Sequence, residues 1–244
     1  MNNIEGRVAL VTGGSRGIGA AVAVRLAQDG ADIVLTHSNS AAQAAEVVES
    51  VKAVGRRALV VQTSDSASVV GAVEAAVAEF GRLDILVNNA GVAAFGAIGE
   101  LTGSDFDEVV DINVKAPFLA ARAAANVLGE GGRIVNIGSC AATRVTGPGY
   151  AVYSLSKSAL VGLTKALARD LGPRGITANL IHPGPIDTAM NPADSPVADE
   201  NRSHTALGHY GESADIAAAV SYLAGDSGRY VTGAEIAVDG GYTA

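Results

Sequence analysis

Tryptophan is absent from this 244-residue chain, and four Phe and six Tyr supply all its aromatic content, 4% of the residues. Aliphatic side chains must therefore fill the core, and few rings remain to shape a ligand pocket. Cysteine occurs once, at Cys140, which excludes an intrachain disulfide and fits a reducing compartment. His37, His182, His204 and His209 show no metal-ligand spacing, so no metal is expected. No run of 18 apolar residues occurs, and the start Met1-Asn2-Asn3-Ile4-Glu5 lacks the basic and apolar regions of a leader. A soluble, cytoplasmic protein with no membrane contact is the expectation. Basic residues are scarce, 17 against 25 acidic for a net charge of -8, so no concentrated positive face is available for nucleic acid.

Glycine is in surplus: 30 residues, about 12% against an average near 7%. Short apolar runs recur at Val8 to Val11, Ile33 to Leu35, Ala58 to Val61, Ile85 to Val87, Ile134 to Ile137, Ala178 to Ile181 and Ile236 to Val238. Between them lie stretches with helical spacing, such as Ile18, Val22, Leu26 and Val69, Val73, Val77, Phe80. Continuous apolar strands separated by helices imply a parallel sheet buried on both faces, an α/β doubly wound fold of about seven strands in a single domain, 1–244. Ligands bind such sheets beyond the carboxyl ends of the strands. One segment breaks the alternation: 183–211 carries Pro185, Pro192 and Pro196 with no apolar period. It reads as a long loop or broken helices, either a substrate-binding lid or a tolerated surface insertion.

The first strand runs into Thr12-Gly13-Gly14-Ser15-Arg16-Gly17-Ile18-Gly19 and then a helix. Glycines here permit a tight turn and turn the amide groups of the new helix toward a pyrophosphate. The spacing is Gly-x-x-x-Gly-x-Gly, and no Lys-Ser/Thr follows as a P-loop requires. At the end of the second strand, where an NAD site places an acid for the ribose 2'-hydroxyl, the chain has His37-Ser38-Asn39. With no carboxylate to repel a 2'-phosphate, and Arg16 available to it, NADP(H) is expected over NAD(H).

Of the six tyrosines only Tyr153 is followed by a lysine four residues later, Lys157, near the start of a helical stretch running to Asp170. Positions i and i+4 share a helix face. Hydride leaves an alcohol readily only as the proton leaves, yet a free Tyr has a pKa of about 10. A lysine ammonium about 5 Å away stabilises a phenolate by about 3.3 kcal/mol at an effective dielectric near 20, which would bring the phenol close to working pH. Ser139, just after the fifth apolar run, is placed to orient a substrate carbonyl.

Together with Asn88-Asn89-Ala90-Gly91, Asn113 and Pro183-Gly184, these motifs make the chain resemble the short-chain dehydrogenase/reductase family from end to end. The resemblance implies a Rossmann-type sheet of seven strands and a proton relay through Asn113. It implies that Lys157 also bridges nicotinamide ribose hydroxyls beside Tyr153, that Asn88, Ala90 and Gly91 flank the adenosine side, and that Ile186 and Thr188 hold the carboxamide. The family's adenine-contacting Asp matches Asp65, with Ser64 the alternative. Ser139 and Tyr153 are 14 apart where 13 is common, so the loop between them is slightly enlarged. Gly6 to Gly13 and Val238 to Tyr242 most resemble the 3-oxoacyl-(acyl carrier protein) reductase-like branch, whose members are usually tetramers.

A ketone/secondary alcohol oxidoreductase acting on a small molecule is the leading expectation. A 3-oxoacyl-(acyl carrier protein) reductase or a non-catalytic nucleotide-sensing regulator is the alternative. Alanines 120, 121, 123 to 125, 159, 166 and 168 suit either a homotetramer interface or packing within the chain. Phe95, Tyr150 and Tyr210 are the rings available to a substrate pocket, and Gly14 is expected against the cofactor with Gly13, Gly17 and Gly19.

Overall fold

A computed structural model describes residues 4 to 244; the residues Met1 to Asn3 read for a leader lie outside the described residues. Seven parallel strands form one sheet in the order β3-β2-β1-β4-β5-β6-β7. They are β1 (Val8–Val11), β2 (Asp32–His37), β3 (Ala58–Gln62), β4 (Ile85–Asn88), β5 (Arg133–Ile137), β6 (Thr177–Pro183) and β7 (Glu235–Val238). Every apolar run in the sequence becomes one of them. Successive residues point to opposite faces, and both faces are buried. Val11, Leu35, Val87 and Ile137 pack on one side with α1 (Gly17–Gln28), α2 (Ala41–Ala53) and α8 (Ser213–Ala224). Leu10, Val34, Leu86 and Ile134 pack on the other with α3 (Val69–Phe80), α5 (Ala116–Ala125) and α6 (Ala151–Leu171). This two-sided burial explains why the strands read as unbroken apolar runs.

Strand order reverses between β1 and β4, which are neighbours although β2 and β3 separate them in sequence. At such a switch point the connections leave to opposite sides and open a crevice at the carboxyl ends of the strands. Alanines 120, 121 and 124 of α5 are fully buried within the chain, so the intrachain alternative accounts for these three. The outer surfaces carry Phe118 on α5 and Leu155 on α6, both about half exposed.

Between α4 (Gly103–Val110) and α5 the helix widens into a π turn, Asp111–Lys115, with Asn113 buried inside it. Pro117 follows and has no N–H to donate to the Asn113 carbonyl four residues back. Widened turns of this kind recur at functional positions. Segment 183–211 is neither free loop nor regular helix. Bridges Ile186 to Gly211 and Thr188 to Asn191 and the short helix α7 (Ala198–Ser203) give it form.

Leu86, on the central β4, has no exposed surface and sits in the second of these core clusters. Leu86→Ala is expected to destabilise the fold by about 2–5 kcal/mol, read as a lowered urea midpoint with an unchanged slope.

Candidate active site

Thr12 anchors the glycine turn. Its hydroxyl accepts from the amides of Asn89 (2.9 Å) and Ala90 (3.0 Å), at the end of the neighbouring β4. The Asn89 amide nitrogen donates to the carbonyls of Thr12 (2.9 Å) and Gly13 (3.1 Å), and the Thr36 hydroxyl accepts from Gly13 N at 3.0 Å. Three strand ends are thus tied around one turn. Gly13 has φ +62°. A Cβ at Gly19 would lie 2.2 Å from the Gly13 carbonyl oxygen, so no larger residue lets α1 start this close to the turn.

The crevice is a cavity of about 900 Å³ that runs from the ends of β2 and β3 past the glycine turn to the end of β5. Gly13, Ser15, Arg16, Gly17, Ile18, Gly19, His37, Ser38 and Asp65 line one half. Asn88, Ala90, Gly91, Ser139, Tyr153, Lys157, Pro183, Gly184, Ile186 and Thr188 line the other.

Two sequence expectations at this end need correction. Asn39 is exposed and does not line the cavity, because the chain bends away after Ser38; Ser40 lines it instead, its hydroxyl 2.6 Å from that of Ser15. Gly14 also turns away and packs against Leu35 and Val11. Of the Asp65/Ser64 pair both line the cavity, but the Asp65 carboxylate already accepts the Ser68 amide at 2.8 Å, which holds it below the usual carboxylate range. The Arg16 side chain meets no hydrogen-bond or ion-pair partner among the described residues; only its carbonyl is engaged, by Ala20 N. The buried His37 Nδ1 and Asn88 Oδ1 also lack one. Buried polar atoms without partners are rare and mark where a ligand completes the structure.

At the far end, Ser139 follows β5 and caps the short turn Cys140–Ala142, its hydroxyl accepting Ala141 N at 3.1 Å. Tyr153 and Lys157 enter from the first turns of α6, with Lys157 Nζ 5.9 Å from the Tyr153 ring centroid. Lys157 is buried without a carboxylate and donates to the Ile137 carbonyl at 3.2 Å. Burial lowers its pKa to about 8.

The expected drop in the Tyr153 pKa is not what the site produces. Burial pushes the phenol up, and its hydrogen bond with Ser139 only partly offsets this. The attraction of the lysine alone leaves out the cost of desolvating the phenolate. Asn113 is close by: a Cβ at Gly91 would lie 3.2 Å from Lys157 Nζ and 3.3 Å from Asn113 Oδ1. The Asn113 side chain is committed to Val92 N (2.9 Å), Val92 O (2.8 Å) and Ser156 Oγ (3.0 Å), so any relay through this residue uses its main chain.

Phe95 packs on Tyr150 (5.0 Å between centroids) and Tyr153 (5.6 Å) at the mouth of this end. Tyr210 does not line the cavity. Its hydroxyl accepts from Asn201 Nδ2 (2.8 Å) and donates to Asn191 Oδ1 (3.2 Å), a tie within segment 183–211 to two residues that do line the cavity. Tyr242 takes the place expected of it, brought in by the C-terminal turn beside Arg144 and Thr146 of the enlarged loop. Thr12, Thr36, Ser40, Asn89 and Tyr242 are among the site residues to which the motifs gave no role of their own.

A family model described as enoyl-(acyl carrier protein) reductase matches residues 13–243. The cyclic-di-GMP-binding biofilm dispersal mediator protein of Escherichia coli is 41% identical over 244 residues, 100% of both chains. A short-chain dehydrogenase from Burkholderia cenocepacia, solved in complex with NADP, is 51% identical with TM-score 0.98, covering 100% of both chains. A blue fluorescent protein from a metagenomic library, solved with NADPH, is 54% identical with TM-score 0.97, covering 99% of this chain and 100% of its own. Similarity of this degree over the full length of the chain makes the protein a member of the short-chain dehydrogenase/reductase family, an oxidoreductase by descent.

Proposed function

We propose that the protein is an NADP(H)-dependent carbonyl reductase that interconverts a ketone and a secondary alcohol. The observation that carries this reading is the meeting of Tyr153, Lys157 and Ser139 at one end of a cavity whose other end offers an arginine side chain without a partner among the described residues and, at the end of β2, His37 and Ser38 in place of an acid. Full-length relatives solved with NADP or NADPH support the cofactor. The site fits that group: the glycine turn would face the pyrophosphate, and Arg16, His37 and Ser38 would surround a 2'-phosphate. Asp65 or Ser64 would meet the adenine, Asn88, Ala90 and Gly91 the adenosine side, and Ile186 and Thr188 the carboxamide. When bound, the reduced nicotinamide supplies hydride to the carbonyl carbon.

The chain's own residues manage the proton. Because burial favours the neutral phenol, Tyr153 enters the reaction protonated and donates to the carbonyl oxygen. The Ser139 hydroxyl orients that oxygen, and the Lys157 ammonium stabilises the phenolate left behind. The Asn113 main chain serves the reprotonation relay. Phe95, Val145, Tyr150, Met190 and Val197 make the substrate end apolar, and 183–211 covers it as a lid. Purified protein should oxidise NADPH with at least one member of a panel of β-keto esters, acyl thioesters and cyclic ketones. Tyr153→Phe should lower kcat by about 10²-fold or more while the NADPH Kd is kept. Turnover within tenfold of the parent would overturn the mechanism.

A second reading follows from the Escherichia coli relative, a cyclic-di-GMP-binding mediator of biofilm dispersal: a sensor that binds a nucleotide without turnover. It requires NADPH binding with no ketone consumed anywhere in the panel. The complete set of Asn113, Ser139, Tyr153 and Lys157 argues for catalysis.

The Lys157 ammonium, with its pKa at about 8, is present at pH 7 and lost as pH rises through that value. The kcat/KM for NADPH reports the free enzyme and should be level below about pH 7.5, then fall by up to about tenfold per pH unit. A profile flat to about pH 10 removes Lys157 from this role.

Arg16→Ala should weaken NADPH by about tenfold or more, the size of a lost charge-assisted contact, with NADH changed by less than about twofold. Titrations of both nucleotides measure this. Comparable catalytic efficiency of the parent enzyme with the two cofactors would contradict the preference.

A further inference from the structure

His182 lies on β6, one residue before the Pro183-Gly184 turn, and is only 3% exposed. None of the chemistry above uses it, yet both its ring nitrogens are engaged. Nδ1 is 2.8 Å from the carbonyl oxygen of Ser139 and 3.4 Å from the Ser139 amide nitrogen. Nε2 is 3.4 Å from Glu235 Oε2, and Glu235 Oε1 is 2.7 Å from Lys165 Nζ.

The register explains how these groups meet. His182 pairs with Ala237 and Leu180 with Glu235, so Glu235 stands diagonally beside His182 on the same face of the sheet. Helix α6 packs against β6 and brings Lys165 two turns beyond Lys157. A line of polar contacts therefore runs from a surface lysine through a carboxylate and a buried imidazole to the main chain of Ser139. The Lys165 ammonium holds the Glu235 carboxyl below the usual carboxylate range, so the charge facing the ring persists.

The close approach is built into the backbone. A Cβ at Gly138 would lie 2.8 Å from His182 Nδ1, so the imidazole reaches the Ser139 peptide only because position 138 is glycine. The Gly138 amide donates to the Ile181 carbonyl at 2.7 Å, which fixes the strand end on its other side. Ser139 itself is extended, φ -168° and ψ 150°, and this conformation presents its hydroxyl to Tyr153. Among the described residues no other side chain bonds to the main chain of Ser139.

We propose that His182 is a positioning residue for the reduction: braced by Glu235 and Lys165, its imidazole fixes the Ser139 main chain so that the Ser139 hydroxyl meets the substrate carbonyl beside Tyr153. The inference rests on the reading of Ser139 given above. A displaced hydroxyl slows the chemical step without touching the nucleotide end of the cavity, since misplacement by about 1 Å costs up to about 10²-fold.

The test is a double-mutant cycle on the full-length enzyme, using the fastest ketone of the panel, with kcat, KM and NADPH Kd measured for each variant. His182→Leu should lower kcat by about tenfold to 10²-fold with the NADPH Kd within about twofold. His182→Asn, whose amide can still donate to the Ser139 carbonyl, should recover most of the loss. In the Ser139→Ala background His182→Leu should cost no further kcat, because the residue acts only through Ser139.

An additive loss in the double variant, or kcat within about twofold of the parent in His182→Leu, overturns the inference alone. Full activity in Ser139→Ala overturns the reading of the site as well. If His182→Leu does not fold, Glu235→Ala replaces it in the cycle. A severalfold loss of kcat that vanishes in the Ser139→Ala background then supports the inference, and an unchanged kcat overturns it.

Discussion

The structure depends on burying an ammonium group without a carboxylate beside it. Among the described residues the Ile137 carbonyl, at the carboxyl end of β5, is the one hydrogen-bond partner of the Lys157 ammonium. Removing a cation from water is costly, and the cost appears as a pKa lowered to about 8. A nearby acid would restore the charge but would also neutralise its effect on a developing phenolate. The site instead accepts a weaker base-line charge on Lys157 and keeps that charge directed at the one place where an anion forms.

That arrangement constrains what surrounds it. Tyr153 must be close enough to feel the ammonium, which the i, i+4 spacing on α6 secures. Position 91 must be small, since Gly91 lies against both Lys157 and Asn113. The helix that brings Asn113 widens into a π turn just before Pro117, and the side chain of Asn113 then ties the 91–92 turn to Ser156 of α6. The sheet supplies the common reference for all of these, because Ser139, the glycine turn and the Pro183-Gly184 turn each begin where a parallel strand ends.

The strands, the glycine turn and the Tyr153–Lys157 pair were legible because each is local: an apolar run, a turn composition, a helical spacing. What stayed hidden depends on contacts between distant segments. Asn39 reads like its neighbours Ser38 and His37, but the chain bends before it. Tyr210 reads like a pocket ring, but its hydroxyl is engaged by Asn191 and Asn201 within segment 183–211. Thr12 and Asn89 look ordinary until β1 and β4 become neighbours across the switch point. The sign of the Tyr153 shift was missed for a related reason. Spacing places Lys157 near the ring but says nothing of how much water the surrounding chain removes, and here burial raises the phenol's pKa while the Ser139 hydroxyl lowers it only in part.

The two ends of the cavity use opposite electrostatic regimes. Arg16 is exposed and acts through water, where a single charge contributes little and salt screens it. Lys157 is buried and acts where screening is weak. Recognition of a phosphate needs only a difference between two nucleotides, so a solvated arginine with neutral donors around it suffices. Stabilising a phenolate during proton transfer needs an interaction much stronger than water itself provides, which is available only after water is excluded. The acidic chain therefore works on a nucleotide without a broad positive surface. In the proposed reaction one exposed guanidinium handles selection, and one buried ammonium, bonded to the Ile137 carbonyl at the end of β5, handles chemistry.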